Sequence, residues 1–175
     1  MRRVRYGGAI SLDGFIAGPD GEYDWIVHNP EIDFAAMFAQ YDTLLIGRKT
    51  FTQMLKMGGG GAQPGMEVYV FSTSLRQEDH PEVKVVRDGA AELVKALKAK
   101  PGKDIALFGG GELFRSLVEA ALVDTVEVAL VPVLLGSGVP LMAGAYRQVP
   151  LKLTSQKLLK STGTLMLEYD ITRQA

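Results

Sequence analysis

A chain of 175 residues with 47% hydrophobic and 22% charged residues has the size and balance of one folded domain, residues 1–175, and is not the composition of a disordered segment. Its formal net charge of −1 leaves no basic excess to neutralise a nucleic-acid backbone, so nucleic acid is not an expected partner. The absence of cysteine removes disulfides, thiolate nucleophiles and sulfur-ligated metals together.

His28 and His80 are the only histidines, which leaves no histidine-rich metal centre, and both stand in apparent loops. The apolar run within MRRVRYGGAISLDG is too short for a signal peptide. No stretch reaches the roughly 20 apolar residues of a membrane span. The expectation is a soluble, cytoplasmic protein with a small-molecule partner.

In chain order, residues 3–11 (RVRYGGAIS) read as a strand carrying a glycine pair, a mark of a bulge or of close approach by a ligand. LDGFIAGPDGEYDWIV then holds two Asp-Gly steps and a Gly-Pro, so it reads as turns around a short apolar piece. After Asn29-Pro30, EIDFAAMFAQY has helical spacing of apolar residues. DTLLIG (42–47) is an unbroken apolar run, as in a strand covered on both faces, and RKTFTQML follows it at once as a helix.

MEVYVFST (66–73) and EVKVVR (82–87) are two further strands, and AAELVKALKAK (90–100) is an amphipathic helix stopped by Pro101-Gly102. DIALFG (104–109) is another buried strand and GELFRSLVEAALV another helix. From residue 124 the pattern changes. DTVEVALVPVLL (124–135), LKLTSQKLLK (151–160) and TLMLEYDITR (164–173) are strand-like, the last two joined through Ser161-Thr162-Gly163 as a hairpin. Strand–helix alternation followed by an antiparallel end predicts an α/β domain with a mixed sheet flanked by helices. GGGGAQPG (58–65) reads as a surface loop.

Two strand-to-helix junctions carry chemistry. At LFGGGELF, Gly109, Gly110 and Gly111 lead into a helix start, where unpaired N–H groups and the helix dipole suit an anion. The alternative for those glycines is a tight turn without a ligand; GGGE lacks the full GxGxxG pattern. At LLIGRKTF, Gly47 is followed by Arg48, Lys49 and Thr50. Cations there oppose the dipole unless an anion intervenes; otherwise they merely reach solvent. Ser72, Thr73 and Arg76 follow a third strand and Arg87 a fourth. Small, hydroxyl and basic groups thus gather at the carboxyl ends of four strands, where open α/β sheets bind ligands, and a nucleotide with several phosphates is the economical reading.

Around the first loop stand Asp13, Glu22 and Asp24, with Trp25 beside them. A partly desolvated carboxyl near a reacting ring can relay a proton; for Asp13 a turn role is the equal alternative, and for Asp20 the turn role dominates.

SLDGFIAG, LLIGRKTF, LFGGGELF and VPVLLGSGVPLM, in that order, resemble the dihydrofolate-reductase-like superfamily. The likeness is strongest to its branch related to the reductase domain of the bifunctional deaminase/reductase of riboflavin biosynthesis. It covers nearly the whole of the 175 residues, and with no deaminase-like stretch among them the bifunctional enzyme itself is not the expectation. The resemblance implies a three-layer fold with a mixed sheet of about eight strands and an antiparallel C-terminal hairpin. It also implies NADPH as hydride donor to a small heterocyclic (pterin- or pyrimidine-like) or carbonyl-type substrate.

By position, Gly47, Arg48, Lys49 and Thr50 would face the phosphates from one helix start. Gly109, Gly110, Gly111, Glu112, Leu113 and Phe114 would do so from the other. Ser72 and Thr73 would lie near the adenosine ribose, with Arg48, Arg76 or Arg87 available for a 2′-phosphate, and Ala9 and Ile10 would border the nicotinamide. The aspartate of SLDG gives the substrate-side catalytic carboxylate to Asp13, with Asp24, Glu31 and Asp33 as the other candidates. A cofactor-binding protein of the same fold without turnover is the alternative. The apolar antiparallel end supports a homodimer, though a core strand explains it equally well.

Overall fold

The computed structural model describes residues 1–58, 65–144 and 147–172. Eight strands form one sheet in the order β5-β4-β3-β6-β1-β7-β10-β9. Its centre is β1 (Val4–Ser11), paired in parallel with β6 (Asp104–Phe108) on one side and β7 (Thr125–Val131) on the other. Outward from β6 run β3 (Tyr41–Gly47), β4 (Glu67–Phe71) and β5 (Lys84–Val86), all parallel. Outward from β7 lie β10 (Thr164–Ile171), antiparallel to β7, and β9 (Leu151–Leu159), antiparallel to β10. The mixed sheet with an antiparallel end expected from the sequence is therefore present.

The unbroken apolar runs are explained by the two faces. In Leu44-Leu45-Ile46 the middle residue belongs to one core cluster and its neighbours to the other. On the first face, α3 (Ala90–Ala99) and α4 (Gly111–Glu119) press Val94, Leu97, Leu113 and Leu117 onto Val4, Ile105, Leu107 and Val126. On the second, Phe51 of α2 (Arg48–Lys56) packs with Leu44, Ile46, Val68 and Val70. Phe51 is fully buried, a contribution of about 2–3 kcal/mol.

Several boundaries differ from the sequence reading, each for a local reason. The helix expected over 31–41 is reduced to α1 (Phe34–Phe38), because the residues before it are engaged elsewhere. Asn29 Oδ1 accepts the Glu31 N–H, the Glu31 carboxylate accepts from Ser161, and Asp33 caps the helix at the Ala36 N–H. The strand expected over 124–135 ends at Val131, where Pro132 has no N–H to donate. The short apolar piece of the first loop forms β2 (Phe15–Ala17), which pairs with β8 (Val139–Pro140). The final hairpin turns where expected, with Gly163 at φ +70° and its N–H on the Leu159 carbonyl. Of the GGGGAQPG segment, residues 59–64 lie outside the described residues. Among the described residues no helix is long and apolar enough to cross a membrane.

Candidate functional site

A cleft of about 1080 Å³ runs along the carboxyl ends of β5, β4, β3, β6 and β1. Three helix starts open onto it. Gly47 precedes α2, Gly89 precedes α3 and Gly110 precedes α4, and none of the three carries a side-chain cap. The first N–H groups of each helix have no intrahelical acceptor, so uncapped starts present donors and a positive dipole end to the cleft. Arg48, Lys49 and Arg87 add three cations to the lining, against the acids Asp88 and Glu112. The cleft therefore suits a polyanion.

The glycines make this convergence sterically possible. Gly109 sits at φ +64°, and a Cβ there would lie 2.6 Å from Thr50 Oγ1. Gly110, at φ +81°, has Gly47 Cα 3.8 Å from where its Cβ would stand. The starts of α2 and α4 are thus in near contact, and it is at Gly109 that a side chain would collide with α2, through Thr50. Gly111 is confined differently: a Cβ would come 2.8 Å from the Pro140 carbonyl and 3.1 Å from that of Leu141.

Of the residues singled out in the sequence, Ala9, Gly47, Arg48, Lys49 and Thr50 line the cleft, as do Ser72, Thr73 and Arg87. So do Gly109, Gly110, Gly111, Glu112 and Leu113. The Ser72 hydroxyl accepts the Ser74 and Leu75 N–H groups, a turn that shapes the rim, and Arg87 donates to the Thr73 carbonyl at 2.7 Å. Phe114 is buried instead, stacked on Tyr6 with ring centroids 4.1 Å apart, and Ile10 packs against the same core cluster. Arg76 does not line the cleft.

The carboxylates have other positions. Asp13 is exposed and lies outside the lining. Its oxygens accept the Ser11 hydroxyl at 2.6 Å and the N–H groups of Leu135 and Gly136 at 3.1 and 2.7 Å. SLDG and VPVLLGSG, far apart in the chain, therefore clasp one another. Gly138 completes the contact, since a Cβ there would meet the Ala17 carbonyl at 2.2 Å. Glu31 holds the hairpin turn at Ser161, and Asp33 caps α1. Asp24 is exposed and outside the lining. The loop between these clasps supplies the cleft wall through Ile16, Ala17, Tyr23 and Ile26.

The Ser11 hydroxyl, followed by the Gly136 and Leu135 N–H groups, holds the Asp13 carboxyl below the ordinary carboxylate range. The Ser161 N–H and hydroxyl do the same for Glu31. A depressed folded-state value means stabilisation that is present above the unfolded value and lost as pH falls through the folded one. Thermal unfolding across about pH 3 to 7 should accordingly show Asp13→Asn less stable than wild type at neutral pH, with the gap closing below about pH 4. A gap that stayed constant with pH would remove the carboxylate clasp.

Missed in the sequence are the α3 start at Gly89-Ala90, together with Tyr6 and Gln53. Arg87-Asp88-Gly89 between a strand and a helix was the available signal for the first. Nothing in the local sequence distinguished the other two. Among the described residues no group of three or more acids or histidines could hold a metal ion.

The sheet, its helical layers and the strand-end cleft define a dihydrofolate-reductase-like α/β protein. Dihydrofolate reductase from Enterococcus faecalis, in a structure complexed with NADP(H), superposes with a TM-score of 0.71 at 17% identity, over 98% of this chain and 97% of that one. A protein from Shewanella sp. PV-4 assigned to riboflavin biosynthesis gives a TM-score of 0.82 at 24% identity, over 98% of this chain and 99% of that one. In sequence the chain is 33% identical over 180 residues to the YyaP protein of Bacillus subtilis (strain 168), covering 97% of this chain and 95% of that one. The RibD C-terminal domain family matches residues 2–167, and the chain belongs to that family.

Proposed function

We propose that the protein is an NADPH-dependent reductase of a small heterocycle of the pyrimidine or pterin kind, or of a related carbonyl compound. One observation carries the reading: three uncapped helix starts and three cations face a single cleft at the carboxyl ends of the strands. That is the donor set a dinucleotide with a 2′-phosphate needs. Membership of the RibD C-terminal domain family, and a fold shared with a dihydrofolate reductase complexed with NADP(H), support it.

On this reading the N–H groups after Gly47 and Gly110 hold the diphosphate. Arg48 and Arg87, both in the lining, would take the 2′-phosphate, and Gly7, Gly8 and Ala9, with no side chain larger than a methyl, would lie against a planar ring. NADPH, when bound, supplies the hydride. The chain supplies orientation, and its loop wall of Ile16, Ala17, Tyr23 and Ile26 excludes water from the reacting end. Asp13 serves the substrate side indirectly, by fixing that wall to Leu135 and Gly136.

Titration with NADPH, followed by fluorescence of Trp25, the sole tryptophan, should show saturable binding. No binding at near-millimolar cofactor would sink the reading. Arg48→Ala should weaken NADPH roughly tenfold more than NADH, the worth of one charge-assisted hydrogen bond. Equal losses would remove Arg48 from the 2′-phosphate.

A further inference from the structure

Tyr6 stands apart from every other group in the cleft. The residue is 1% exposed, its ring covered on one side by that of Phe114, yet it also contributes to the cleft lining. Among the described residues its hydroxyl has no hydrogen-bond partner; burial is the sole influence on its acidity, and it pushes the phenol well above the ordinary tyrosine range. The buried, unpartnered side-chain atoms among the described residues are Trp25 Nε1 and Arg115 Nε; the Tyr6 hydroxyl differs from them in keeping the small exposed remainder of its residue, so its unused donor can be reached from outside.

The direction in which the hydroxyl opens is set by Gly8. A Cβ at that position would lie 3.5 Å from Tyr6 Oη, and Gly8 is itself part of the cleft floor. With no side chain on Gly8, the hydroxyl is reached from the cleft through the gap beside β1. It stays protonated at any physiological pH, so it acts there as a neutral donor.

Its place along the cleft identifies the part of the ligand it meets. From β5 to β1 the sheet order passes through β4, β3 and β6, four strand spacings or roughly 19 Å. Arg87, the cation following β5, is at one end, and Tyr6 is at the other. The cationic end matches a phosphate; a neutral donor beside a floor of small residues matches a carbonyl or hydroxyl oxygen.

We propose that the Tyr6 hydroxyl donates a hydrogen bond to an oxygen acceptor at the nicotinamide end of the bound dinucleotide. The assignment rests on the cleft being a dinucleotide site. It names a ligand contact that fixes which way round the dinucleotide lies.

The test is Tyr6→Phe, with dissociation constants measured for NADPH and for 2′,5′-ADP, which lacks the nicotinamide end, and thermal unfolding of the free protein. NADPH should weaken about five- to tenfold, 2′,5′-ADP should be unchanged, and the melting temperature should be unchanged, because the hydroxyl makes no bond within the protein. Unaltered NADPH affinity, an equal loss for 2′,5′-ADP, or a lowered melting temperature would each overturn the assignment. If Tyr6→Phe does not fold, Gly8→Ala places a methyl against the hydroxyl and should give the same selective loss; its absence counts equally against Tyr6. Wild-type protein that binds neither nucleotide overturns the reading of the cleft itself, whereas wild type binding both with the variant indistinguishable overturns only the role of Tyr6.

Discussion

Gly111→Ala is expected to destabilise the protein by about 2 kcal/mol, the usual cost of forcing a methyl into a filled space, and to lower its melting temperature by roughly 4–8 °C. The added Cβ would stand 2.8 Å from the Pro140 carbonyl oxygen and 3.1 Å from that of Leu141. Both obstacles are backbone, so no rotamer change relieves them. Either α4 or β8 must move, and both border the cleft. Nucleotide affinity should therefore fall together with stability. Gly136→Ala is the control: its φ of +75° is strained for alanine, but nothing lies within 4 Å of the added Cβ. That change should cost about 1 kcal/mol and spare binding. Equal melting temperatures for the two variants would show that the α4–β8 contact yields freely.

Asp124→Ala is expected to cost about 3 kcal/mol, a fall of roughly 6–12 °C. The Asp124 carboxylate accepts the Val4 N–H at 2.8 Å and pairs with the Lys98 ammonium. Lys98 is 9% exposed in its side chain, and its other acceptor is the Leu122 carbonyl at 3.2 Å. Removing the carboxylate leaves a nearly buried ammonium with one neutral acceptor and frees the start of β1 from α3. Adding Lys98→Met should recover much of the loss, because an apolar side chain of similar length then fills the space without a charge. Chemical denaturation of both variants measures the pair. A single-variant loss below about 1 kcal/mol would place the ion pair among solvent-screened contacts.

The architecture was legible where burial dictates composition. LLIG and DIALFG had to be strands covered on both faces, since alternate residues serve two cores, and both are. Two of the strand-to-helix junctions that line the cleft were legible because cations at a helix start contradict the dipole unless an anion is expected. Less legible was anything decided by contacts between distant segments. Helical periodicity over 31–41 lost to the bonds that Asn29 and Glu31 make with the turn at Ser161 and Thr162. Asp13 reads locally as a turn residue or a reacting acid, and only the three-dimensional arrangement shows its oxygens engaged by Ser11, Leu135 and Gly136. Tyr6 gave no local signal at all, because a tyrosine in a strand is ordinary until its hydroxyl is found without a partner.

The central position of β1 has a consequence for synthesis. Val4 pairs with Ile105, and Arg5 with Thr125, so β1 has no sheet partners until about 100 further residues have been made. At about 5–20 residues per second, that is a wait of roughly 5–25 seconds. During this interval β3 and β4 can join, but the strand bearing Tyr6 and Gly8 stays unpaired. The cleft floor is completed last, from residues that precede the rest of the lining in the chain.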